Sequence, residues 1–165
     1  MFGTYNVLKC AHELNISKII MASSAPVDLD VDSKSSEQAK DEEQPCCSTN
    51  QDFVYDLTKN LQEHEASIFS KTFNMNIIVL RLGHIVDGQR GTDLNNIRLC
   101  DVQYCRGGWV SKYDVARAFA RAVECGCAGY NMFNIIGSYQ AKEKFDMSNT
   151  KKVLNFKCEE QFFDC

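Results

Sequence analysis

Apolar positions along the chain follow two rhythms, and the order in which the rhythms alternate outlines an α/β protein. Residues 3–14 set Val7, Leu8, Ala11 and Leu14 at helical spacing, which predicts a helix with one stripe against a core. The stretch KIIMASSA, residues 18–25, opens with a short apolar run, partly β-branched, that predicts a buried parallel strand over 18–23 delivering Ser23 and Ser24 at its carboxyl end. Helical period returns over residues 53–73, with Phe53, Leu57, Leu61, Ala66, Ile68 and Phe69 as core contributors and Asp52 as N-cap. Residues 76–82 predict a second strand, parallel to the first through a right-handed crossover. Trp109 and Val110 read as a short strand. Ser111 and Asp114 then make a capping-box-like start, with Asp in place of the usual Glu or Gln, for a helix carrying Val115, Phe119 and Val123. Residues 129–136 predict a further strand, and residues 145–156 a closing helix capped by Asp146 and Ser148.

Two polar stretches interrupt this alternation. Residues 28–52 have no period and carry eight acids against two lysines, a balance of −6 in a chain whose net charge is −4, so the rest of the protein stands at +2. That composition predicts a flexible acidic insertion on the surface, with a mobile flap as the lesser reading. A body so close to neutral has no basic stripe for a phosphate backbone, so no nucleic-acid partner is expected. Residues 87–107, with Arg90, Arg98 and Arg106, predict a polar loop.

At 165 residues with 44% hydrophobic positions, the chain is expected to form a single domain with a genuine core. It contains no apolar run of spanning length, and residues 1–11 do not read as an export leader. A soluble cytoplasmic protein without a membrane partner is the expectation. Nine cysteines are an odd number, several of them inside regular elements, so reduced thiols are expected. Cys125 and Cys127 lack a matching second pair, and His12, His64 and His84 are scattered singly, so no metal site is expected.

Candidate chemistry sits in FVYDLTKNLQEHEA, residues 53–66. Tyr55 and Lys59 are four residues apart, hence on one helical face about one turn apart, where an ammonium can lower the pKa of a phenol. A phenol titrating near ~10 needs such a neighbour to exchange protons at working pH. Taken alone, this tetrad favours a solvated tyrosine on an amphipathic helix. The strand-end hydroxyls change that balance, because ligands of open α/β sheets bind beyond the carboxyl ends of strands.

A strand ending in Ser-Ser-Ala, a Tyr-x-x-x-Lys helix and a strand ending in Arg81-Leu82-Gly83, in that order, resemble the extended, epimerase/dehydratase-like branch of the short-chain dehydrogenase/reductase superfamily. GTYNVLKCAHELNISKII and GGWVSKYDVARAFARAVE look like the same family, and FDMSNTKKVLNF is similar to the tail of uronate dehydrogenases. The resemblance implies a partial doubly wound, Rossmann-like parallel sheet, the C-terminal portion of the family fold. It implies Ser24, Tyr55 and Lys59 as catalytic residues, and Tyr55, Lys59, Gly83 and His84 beside a bound NAD or NADP. The implied substrate is sugar-like, Arg90, Arg98 and Arg106 would meet its phosphates if it is a nucleotide sugar, and a homodimer is an expected assembly. One departure matters: no G-x-G-x-x-G or G-x-x-G-x-x-G occurs, so the chain is expected to lack the glycine-rich half that holds the pyrophosphate. Three readings follow: an NAD(P)-dependent oxidoreductase or epimerase, a non-catalytic remnant that binds a partner, and, ranked last, a redox or metal module built on the cysteines.

Overall fold

The computed structural model describes residues 2–25, 53–102, 108–139, 145–160 and 162. The acidic stretch 28–52, the expected N-cap Asp52, and Arg106 lie outside the described residues.

Three parallel strands carry the architecture. β1 (Lys18–Ser24) pairs with β2 (Asn76–Leu82) from Lys18 opposite Asn76 to Ser24 opposite Leu82, and β2 pairs with the last strand (Tyr130–Ile135) from Ile77 opposite Tyr130 to Leu82 opposite Ile135. The carboxyl ends of all three are therefore level. Side chains of the middle strand alternate between two cores. Ile77 and Val79 pack with Leu8 and Ala11 of α1 (Phe2–Glu13) and with Ala66 and Phe69 of α2 (Phe53–Phe73). Ile78 and Leu80 face Val110, Ala118, Ala122, Phe133, Leu154 and Phe156 on the other side, where α3 (Lys112–Glu124) packs. A strand covered on both faces is apolar at most positions, which is why residues 77–80 read as a continuous run. The helices on opposite faces give the expected α/β layering.

Both helices on the first face stop the same way. Asn15 and Asn74 adopt left-handed backbone, with φ of 55° and 53°, so Ile16 donates back to the Ala11 carbonyl and Met75 to that of Ser70. Asparagine tolerates this conformation better than most residues, and the chain turns directly into a strand.

Several apolar positions expected in the core are exposed. On α1 only Leu8 and Ala11 are buried; Val7 is exposed, and Leu14 lies past the last turn. On α2, Ala66 and Phe69 are buried, Leu61 is half-buried, and Leu57 and Ile68 are exposed. On α3, Ala118 and Ala122 form the contact, Val115 and Phe119 flank it, and Val123 is exposed. Each helix touches the sheet along a flank narrower than its apolar stripe.

Beyond β2 the chain builds a small second sheet. β3 (His84–Asp87) pairs antiparallel with β4 (Thr92–Asp93) and parallel with β5 (Trp109–Ser111). His84 and Ile85 open the first strand of this sheet. With this numbering the Tyr130–Ile135 strand is β6, and Ser148–Lys152 forms a short α4 in place of the longer closing helix. The N-cap position falls to Met147 rather than to Asp146 or Ser148, and Asp146, one residue before it, accepts from the Ser148 amide at 2.8 Å and its hydroxyl at 3.1 Å.

The start of α3 differs from a capping box. Ser111 is the N-cap and its hydroxyl accepts from the Tyr113 amide, but Asp114 is 1% exposed and faces inward. Its carboxylate pairs with Arg117 and accepts the amides of Glu159 and Glu160, both at 3.1 Å. The returning tail supplies donors that a local cap would not.

Candidate functional site

The level carboxyl ends of β1 and β2 open into a cleft of about 490 Å³, lined by Ala22, Ser23, Ser24, Tyr55, Lys59, Leu82, Gly83, His84, Ile85 and Leu94. Ser24, Tyr55, Lys59, Gly83 and His84, singled out from the sequence, therefore share one wall or another of the same space.

Each arrives by a different route. Ser23 and Ser24 are the last residues of β1, and both are buried. The Ser24 hydroxyl donates to the Ala25 carbonyl at 3.3 Å, whereas the Ser23 hydroxyl is buried and has no hydrogen-bond partner among the described residues. Tyr55 and Lys59 lie on successive turns of α2, with the ammonium 5.8 Å from the centre of the phenol ring. That separation is within cation–π range. Lys59 also reaches the Ala22 carbonyl at 3.4 Å and the Gln62 side chain at 3.5 Å, while Gln62 donates to the same Ala22 carbonyl at 3.0 Å. One carbonyl on β1 thus tethers two side chains of α2. Gln62 follows Lys59 by three residues on the same helical flank, a spacing visible in the sequence.

Gly83 is there for a reason other than ligand approach. A Cβ on it would lie 2.3 Å from the carbonyl oxygen of Gly108, and the neighbouring His84 amide donates to that oxygen at 2.8 Å. Only glycine lets the two sheets come this close. His84 then begins β3 at the rim of the cleft. Burial holds its imidazole below the usual histidine range, an effect partly offset by the nearby Asp93 carboxylate. A neutral ring can both donate and accept.

Two of the arginines suggested for phosphate binding, Arg90 and Arg98, are engaged elsewhere. Arg90 is 3.7 Å from Asp87, and Arg98 is 2.9 Å from Asp101. A different arginine is central: Arg81 of β2, 1% exposed, donates from Nε to Glu63 Oε1 at 2.9 Å and from Nη2 to Oε2 at 2.7 Å. Tyr130 donates to the Glu63 backbone carbonyl at 3.1 Å, and burial together with the Glu63 carboxylate raises its phenol above the ordinary range. The only sequence signal for this pair was an arginine inside an otherwise apolar strand.

The cysteine expectation is corrected in one place. Cys125 and Cys127 form a disulfide, whereas Cys10, Cys100 and Cys158 are free thiols among the described residues. No group of three or more metal-ligating side chains is found among the described residues, and no described helix is long and apolar enough to cross a membrane.

A parallel sheet flanked by helices on both faces, with its cleft at the carboxyl ends of the strands, defines a dinucleotide-fold α/β domain. The family model described as the NAD dependent epimerase/dehydratase family matches residues 1–97, and the chain belongs to that family. Solved structures share the fold at low sequence identity. UDP-glucuronic acid 4-epimerase from Bacillus cereus, in complex with NAD, superposes with a TM-score of 0.67 at 16% identity over 94% of this chain and 61% of its own. Uronate dehydrogenase from Agrobacterium tumefaciens, in a mutant form complexed with NAD, gives 0.69 at 16% identity over 98% and 54%. UDP-glucose 4-epimerase from Thermotoga maritima, with UDP-glucose, gives 0.67 at 14% identity over 96% and 64%. The chain thus spans between about half and two-thirds of these structures. No curated protein matches the sequence.

Proposed function

We propose that this chain forms the substrate-side half of an NAD(P)-dependent site that oxidises or epimerises a hydroxyl of a sugar or nucleotide sugar. The observation carrying this reading is that Ser24, Tyr55 and Lys59 line one cleft at the carboxyl rim of the parallel sheet.

The residues present fit the nicotinamide end of such a cofactor. An amide-bearing ring suits walls made by Leu82, Ile85 and Leu94, with the buried Ser23 hydroxyl lacking a partner among the described residues. Tyr55 and Lys59 would hold the adjoining ribose. The adenosine end has no counterpart in the sequence, which contains no glycine-rich turn. When bound, the nicotinamide supplies the hydride acceptor or donor.

The protein's own groups handle the proton. Tyr55 takes it from the substrate hydroxyl. Lys59, held in place through Ala22 and Gln62, provides the positive charge beside the phenol. Ser24 turns its hydroxyl from the Ala25 carbonyl to the substrate oxygen, where charge develops as the carbonyl forms. His84 stands at the rim to contact cofactor or substrate.

Calorimetric titration of the 165-residue chain with NAD(H) and NADP(H) tests the reading. Saturable binding is expected, weakened in Lys59→Ala. Tyr55→Phe is expected to keep cofactor binding and to lower turnover of a sugar substrate by about 10²- to 10⁴-fold, the usual contribution of a positioned acid–base group. Retained turnover refutes the assignment of Tyr55. An absence of binding favours a second reading, a non-catalytic remnant.

A further inference from the structure

We propose that Cys125 and Cys127 form a thiol–disulfide exchange site, reversibly reduced by a small-molecule thiol such as glutathione. It lies away from the cleft, in the turn between α3 and β6. Tyr130, just beyond, pairs with Ile77 at the amino ends of the strands, so the cysteines stand at the opposite edge of the sheet from Ser24 and Leu82.

The bond is not a structural staple. A disulfide stabilises chiefly by closing a loop in the unfolded chain, and the effect grows with loop length. Here the sequence separation is 2. The turn is also secured without it. The Cys125 amide donates to the Arg121 carbonyl at 2.8 Å, Lys18 donates to the carbonyls of Val123 and Cys125, at 2.5 and 2.7 Å, and the Gly129 amide donates to the Asn76 side chain at 2.8 Å. None of these contacts uses a sulfur atom, so all of them can survive opening of the bond.

An attacking thiol has access. Both cysteines are only half-buried, and Gly126 between them is exposed with open space around it. Cys158 touches the same core cluster as the two bonded cysteines, and there burial pushes its thiol pKa up to about 12. At the exchange site the Lys18 ammonium sits beside the turn, where positive charge favours a thiolate as nucleophile or leaving group. Disulfides that an outside thiol can reach are the labile ones.

The chemistry balances with two equivalents of thiol. A thiolate attacks one sulfur, the Cys125–Cys127 bond breaks, and a mixed disulfide forms while the released cysteine thiolate takes a proton. A second thiolate attacks the mixed disulfide at the sulfur of the small molecule. The products are two cysteine thiols and one small-molecule disulfide, so two electrons have passed from the reductant to the protein.

The test equilibrates the full chain in mixtures of reduced and oxidised glutathione, quenches with acid, alkylates, and maps each cysteine by mass spectrometry. The expected result is a single transition at Cys125 and Cys127, from bonded to dithiol, with an unchanged circular dichroism spectrum. Cys127→Ser is expected to accumulate a glutathione adduct at Cys125, and Cys125→Ser is expected to do the reverse, so one variant serves if the other does not fold. Two results overturn the proposal: a bond that survives excess reduced glutathione until denaturant is added, or thiols that fail to pair in oxidised glutathione.

Discussion

Removing Glu63 alone should damage this protein more than removing Glu63 and Arg81 together. Arg81 is 1% exposed and Glu63 6%, and they share two hydrogen bonds of 2.9 and 2.7 Å. In Glu63→Leu the guanidinium stays buried on β2 and loses both. Breaking a buried ion pair from one side costs about 3–5 kcal/mol. In Glu63→Leu/Arg81→Met both charges are gone and apolar side chains of similar volume fill the space, where such exchanges range from neutral to stabilising by roughly 1–4 kcal/mol. Stability from urea denaturation, read as a change in midpoint at constant slope, measures each variant and closes the cycle. The single variant should fall well below the wild type and the double variant should recover most of the loss. A single variant within ~1 kcal/mol of wild type would refute the reasoning, because exposed ion pairs rarely exceed that and the pair would then be behaving as one.

Three further outcomes are expected. Gly83→Ala should lose about 1–3 kcal/mol in the same assay, the usual cost of forced overpacking, because its Cβ would meet the Gly108 carbonyl oxygen at 2.3 Å. Burial depresses the His84 pKa, so below its ordinary value of 6.5 the unfolded chain binds a proton that the folded chain resists. Its contribution is therefore nil above that value, and stability is lost as pH falls from there towards the folded pKa; the His84→Gln variant should show a shallower loss over the same window. Cys158, its thiol at about 12, should resist alkylation at neutral pH in the folded protein and react on unfolding, while the exposed Cys10 and Cys100 react at once.

What the sequence disclosed follows from how local each interaction is. The runs at 18–23 and 76–82 were legible as strands because β-branched apolar residues in short runs suit a sheet buried by helices, and Ser24 was legible as a strand end. The Tyr55 and Lys59 pair was legible because helical spacing alone puts both on one face. β3 and β4 were not, since strands of four and two residues exist only by pairing with β5 and with each other. Asp114 read as a helix cap because its partners, the amides of Glu159 and Glu160, are donors that any residue carries, brought back from the far end of the chain. The pairing of Cys125 with Cys127 was masked by an odd cysteine count, which says nothing about any single pair.

The setting of α2 shows why the site depends on the illegible contacts. Apolar side chains occur around much of this helix, with Val54, Leu57 and Ile68 exposed and, among its described apolar side chains, only Ala66 and Phe69 buried in the core, so hydrophobic burial does not by itself choose how the helix is rotated on the sheet. A shift of one residue turns a helix by about 100°, enough to carry Tyr55 and Lys59 off the cleft. Two polar ties select the orientation. Lys59 and Gln62 reach the Ala22 carbonyl of β1, and Glu63, one turn beyond Lys59, grips Arg81 of β2. Because the strands run in fixed register, with Ser24 opposite Leu82 one residue past Arg81, the grip on β2 also fixes the phenol relative to the Ser24 hydroxyl. Buried ionic contacts are weak sources of net stability. Here the Glu63–Arg81 pair acts instead as the positional reference for the cleft, which explains an arginine in the middle strand of the sheet.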